Sequence, residues 1–142
     1  EEARKQLIDT LVENHPSSVP LYLRGNFRMA CGDFSGARLD LEQCLELGLK
    51  DFAEVRTKIM LALIYQTTGE WEQHRTKLLA DLKQSSAGLF SEIVQIIETE
   101  NISSVQNHIC RALDCAVGTA SGIEGLLRRI RRKLYRQLPA RP

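Results

Sequence analysis

One short pattern constrains this chain more than any other. A glycine, an acid and an aromatic follow one another twice, as Gly32-Asp33-Phe34 and Gly69-Glu70-Trp71, with the glycines 37 residues apart. Each triplet separates two segments of helical periodicity. The glycine lets the chain reverse, the acid favours the N-terminus of the next helix, and the aromatic ring wedges between the paired helices. Self-similarity at such a spacing is the mark of a helical repeat array.

Apolar residues recur at helical spacing almost throughout and strict alternation is absent, so the chain is expected to be all-α. The first helix is expected over about 1 to 14, with Leu7, Ile8, Leu11 and Val12 on one face, ended by His15-Pro16-Ser17-Ser18. The spacing predicts further helices over about 18 to 31, 34 to 47 (with Leu39, Leu41, Leu45 and Leu47), 52 to 68, 71 to 84 and 89 to 100. In the last of these Ile93, Val94, Ile96 and Ile97 demand burial. Asn101 offers a cap for a helix to about Val117, which carries Ile102, Val105, Ile109, Ala112, Leu113 and Ala116 and breaks at Gly118-Thr119-Ala120. Ser121 and Glu124 fit a capping box that opens a final helix to about Leu138, followed by the tail Pro139 to Pro142.

With 43% apolar residues, 142 residues can bury a core, and a formal net charge of +1 gives no global field for nucleic acid or membrane. Charge is unevenly spread, however: six of the nine residues from Arg128 to Arg136 are basic. No stretch approaches the roughly 20 apolar residues of a membrane span. The chain lacks an initiator methionine and begins in a helical pattern, which suggests a fragment of a longer protein. Cys31, Cys44, Cys110 and Cys115 lack the paired spacing of a zinc site and are expected as small buried hydrophobes. An intracellular home, cytoplasmic or nuclear, is expected.

Residues 18 to 84 resemble two tetratricopeptide repeats, each a helix, a tight turn and a second helix. In the first unit, Leu21, Gly25, Ala37, Leu41 and Cys44 match the pattern, with Gly25 at the close approach of the two helices facing Ala37; Arg24 and Arg28 stand where a leucine and a tyrosine are usual. The second unit keeps Leu61, Ala62, Tyr65, Trp71 and Leu78, but Lys58, His74 and Asp81 replace apolar or small residues. The resemblance implies a right-handed α-solenoid of antiparallel helix pairs. Residues 1–16 would be the second helix of a preceding truncated repeat, 18–51 a repeat, 52–84 a degenerate repeat, and 87–138 helices capping the solenoid.

It also implies a concave groove on the first helices of the pairs. Tyr22, Asn26, Met29, Arg56, Ile59, Leu63 and Gln66 would line it and hold a peptide or helix of a partner protein. The expected function is therefore a protein-interaction module, scaffold or adaptor, without cofactor, metal or catalytic residues. Asn26 and Arg56 imitate only part of the family's carboxylate clamp, since Tyr22 and Leu63 stand at two of its polar positions.

The final helix carries the alternative. Ile123, Leu126, Leu127, Ile130, Leu134 and Leu138 form an apolar stripe, while Arg128, Arg129, Arg131, Arg132, Lys133 and Arg136 dominate the remaining surface. Such a helix either seals the array or docks on an acidic partner, nucleic acid or an anionic membrane. His15, His74 and His108 are scattered, no nucleophile or phosphate-loop motif is present, and His108 does not face Cys110. Asp40 with Glu42, and Glu70 with Glu72, are expected as solvated surface acids.

Overall fold

A computed structural model describes residues 2–14, 18–103, 106 and 122–137, and every element among them is helical. The order is α1 (Glu2–Asn14), α2 (Ser18–Ala30), α3 (Phe34–Leu47), α4 (Asp51–Thr68), α5 (Trp71–Ser85), a 3-10 turn (Ala87–Leu89), α6 (Phe90–Thr99) and α7 (Gly122–Gln137). Residues 102, 103 and 106 are also helical. The rest of the helix expected to Val117, with His108, Cys110 and Cys115, lies outside the described residues, as do the Pro16 stop, Ser121, the side chains of Ile123 and Glu124, and Leu138 to Pro142.

Both repeated turns form on left-handed glycines, Gly32 at φ 87° and Gly69 at φ 81°, a region that costs any residue with a Cβ. The acids after them act differently. Asp33 accepts from the Gly36 amide at 3.0 Å and caps α3, whereas the Glu70 side chain makes no cap bond to α5. Trp71 is half-buried against the core instead of enclosed by it.

The α2–α3 pair runs antiparallel. Cys44 Sγ donates to the Ser18 carbonyl at 3.3 Å at one end, Gly25 meets Leu41 in the middle, and Arg28 lies 3.9 Å from Asp33 at the other. Helix α3 buries Ala37, Asp40, Leu41 and Cys44, leaving Leu39 and Leu47 exposed. The centre of the core is α4. It buries Val55, Arg56, Thr57 and every residue from Ile59 to Tyr65, because α3, α5, α6 and α7 all pack against it. Ile93, Ile96 and Ile97 of α6 are buried as their pattern demands, with Val94 half-buried. Helix α1 packs on α2 and only half-buries Ile8, Leu11 and Val12, with Leu7 exposed.

Candidate functional site

The face expected as an open groove is divided by the structure into a polar knot and a sealed apolar core. Tyr22 and Asn26 lie one turn apart on α2, and Arg56 reaches them from α4. Arg56 Nη1 donates to Tyr22 Oη at 2.6 Å and to Asn26 Oδ1 at 2.8 Å, while Asn26 Nδ2 donates to the Tyr22 carbonyl at 2.7 Å. Arg56 is 8% exposed, and no described carboxylate pairs with it. Burial lowers its pKa, opposed by its contact with the Tyr22 hydroxyl.

Met29, Ile59 and Leu63 are a correction to the expected groove. All three are at most 1% exposed and belong to one cluster with Ile93 and Ile96 of α6 and Ile130 of α7. All three are enclosed in the chain's own core, so their side chains offer no surface to a partner. Gln66 remains exposed, but its Nε2 donates to the Ile97 carbonyl at 3.1 Å; Gln106 Nε2 likewise reaches the Met29 carbonyl at 3.3 Å.

Helix α7 divides cleanly. Leu127 and Ile130 are buried, and Leu126 and Leu134 pack against the same core at partial burial. Arg128, Arg129, Arg131, Arg132 and Arg136 are exposed, and Lys133 is half-buried. The Arg131 guanidinium carbon lies 6.0 Å from the Phe52 ring centre and 5.7 Å from that of Tyr135, so two rings hold it by cation–π contact. Lys133 Nζ donates to Glu92 Oε1 on α6, and this bond is the main cause of a lowered Glu92 pKa. Arg128, Arg131, Arg132 and Tyr135 line a shallow depression of about 490 Å³ on this surface.

Asp40 corrects a second expectation. Far from solvated, it is 2% exposed, taking Arg24 Nε and Nη2 in a fork at 2.9 and 2.8 Å and Arg28 Nη1 at 3.1 Å. The signal was present in the chain: Arg24 and Arg28, one turn apart, are the two residues that break the first repeat's pattern, and the acid that answers them lies across the hairpin. Glu42 is half-buried and accepts from Tyr65 Oη at 2.8 Å, and His74 stacks on the Tyr65 ring at 3.9 Å and 10° between planes. Glu70 is half-buried beside Arg38 at 3.2 Å, and Glu72 is exposed.

Cys44 is buried and its thiol is pushed up to about 12 by desolvation, then by the Asp40 charge; Cys31 is exposed, against the expectation of burial. No three His, Cys, Asp or Glu side chains among the described residues converge as metal ligands. None of the described helices is long and apolar enough to cross a membrane. Comparison with protein-family models, curated proteins and solved structures found no match to this chain.

Proposed function

We propose that this chain is a protein-interaction module built from tetratricopeptide-like helical repeats, and that it binds an acidic partner protein through the arginine face of α7. Binding, not turnover, is its proposed role. The observation that carries this reading is the division of α7: its apolar stripe is committed to the core at Leu127 and Ile130, yet five arginines of the same helix stand exposed. A helix that only sealed the array would need no such concentration of one charge. Arginine suits the task because its planar fork pairs bidentately with carboxylates.

Acidic protein is favoured over the other anionic surfaces. An amphipathic helix enters a membrane by its apolar face, which here is inside the protein. Single-stranded nucleic acid needs aromatic rings open for stacking, and the two rings beside the patch, Phe52 and Tyr135, are engaged by Arg131. With its apolar positions covered, the expected groove contributes little surface beyond the edge of Tyr22 and the polar Gln66.

The test is capture of partners from cell extract by the whole chain, followed by direct affinity measurement with the purified captured protein. Replacing Arg128, Arg129, Arg131 and Arg132 by Gln should abolish binding with helical content unchanged, and salt should weaken it in the parent. Binding indifferent to those four substitutions, or captured material that nuclease or lipid extraction removes, would defeat the proposal.

A further inference from the structure

On another face, α3, α4 and α5 enclose an open trough of about 560 Å³ that the arginine surface does not touch. Its floor is a single stripe of α4, Glu54, Lys58, Leu61 and Tyr65, spaced at helical intervals over about 16 Å. Leu45 of α3 and Leu49 of the α3–α4 connection form one wall at partial burial, and Leu78 forms the base of the α5 wall. The stacked pair of Tyr65 and His74 closes one end.

The charges in this trough do not balance. Glu42, Glu46, Glu54 and Asp81 face Lys58 and Lys77, four carboxylates against two ammonium groups. Lys58 is taken by Glu54 at 2.8 Å, and Glu42 accepts the Tyr65 hydroxyl with Arg38 at 3.8 Å. Glu46 on α3 and Asp81 on α5 form no ion pair among the described residues, so two carboxylates stand on opposite sides of the trough with an excess of negative charge between them. Lys58, His74 and Asp81, the residues by which the second repeat departs from its apolar pattern, all lie on this one surface.

We infer that the trough is a docking site for an amphipathic helix of another protein, with leucine-type side chains along one face and lysine or arginine on either side. Three helical walls receive a fourth helix by the same ridge-and-groove packing that builds the rest of the chain, and a stretch of about eleven residues fills the length. The apolar face meets Leu45 and Leu49, the partly exposed leucines of the trough, and the flanking cations meet Glu46 and Asp81. A second copy of this chain is a poor occupant, because α7, where leucines and arginines occur together, keeps Leu127 and Ile130 in its own core.

The test uses the whole chain and two labelled helical peptides of about eleven residues. One carries leucines on one face flanked by lysines; the other has glutamates in place of the lysines. The lysine peptide should bind saturably and shift the amide resonances of Leu45, His74 and Leu78. Glu46→Lys with Asp81→Lys should weaken it by about tenfold or more and bring the glutamate peptide up by a similar factor. Glu46→Gln with Asp81→Asn, which keeps the side-chain shapes, should give an intermediate affinity for both. Neutralising the four α7 arginines should leave the lysine peptide's affinity unchanged, which separates this site from the proposed arginine surface. Equal affinity for the two peptides, resonance shifts away from the trough, or a dimer that the Lys variants dissolve would each overturn the inference.

Discussion

Gly25 and Leu41 are in contact across the α2–α3 hairpin so tightly that a Cβ on Gly25 would lie 2.9 Å from Leu41 Cδ2 and 3.0 Å from its Cγ. Leu41 is fully buried and has nowhere to move. A small residue is expected at this close approach, and Leu41 and Asp40 supply its nearest contacts. Gly25→Leu should cost about 3 kcal/mol in chemical unfolding. Gly25→Ala should cost less, since alanine's helix propensity returns about 1 kcal/mol. A Leu variant as stable as the parent would refute the packing described.

Asp40 binds two arginines inside the same hairpin. Asp40→Ala should destabilise the chain by about 2–3 kcal/mol, below the cost of breaking a fully buried pair because Arg24 and Arg28 reach solvent along one side. Arg24→Met should be tolerated better than Asp40→Ala, since it leaves the carboxylate with Arg28. Thermal or urea unfolding of the two variants checks the order.

Helix α7 should behave as part of the core. Ile130→Ala should cost about 2–5 kcal/mol, while Arg129→Ala on the same helix should change stability by less than about 0.5 kcal/mol. Equal small effects at both positions would mean that α7 is not packed as described.

The bond from Lys133 to Glu92 joins α7 to α6 and makes that junction sensitive to acid. A carboxyl whose pKa is lowered in the folded state stabilises it above the ordinary carboxylate range, and that contribution is lost as pH falls through the lowered value. Acidification should therefore loosen the docking of α7 on α6, measured by amide exchange in α7. In Glu92→Gln this acid-dependent step should disappear.

Cys44 should stay unreactive in the folded chain. With its thiol held protonated up to about 12 against an ordinary 9.0, the thiolate that attacks alkylating reagents is scarce. The sign of the linkage is that this contribution is intact below pH 9.0 and fades as pH rises toward about 12. In a variant with Cys31, Cys110 and Cys115 changed to Ser, iodoacetamide should label Cys44 only at the rate of unfolding. Rapid labelling under native conditions would contradict its burial.

Much of this molecule is written locally. The two glycine turns end helices where a left-handed residue is needed, and the period of apolar residues assigns Leu41, Ile93, Ile96, Leu127 and Ile130 to buried faces. These follow from interactions within a few residues, which a linear pattern records. Periodicity marks a side chain as apolar without saying what will cover it, so Met29, Ile59 and Leu63 read as a groove until the packed helices enclose them in one core. Asp40 reads as a surface acid until the hairpin brings Arg24 and Arg28 across it. Only the tertiary structure decided these, and the trough between α3, α4 and α5, because each depends on residues distant in the chain being placed together by the packing of whole helices.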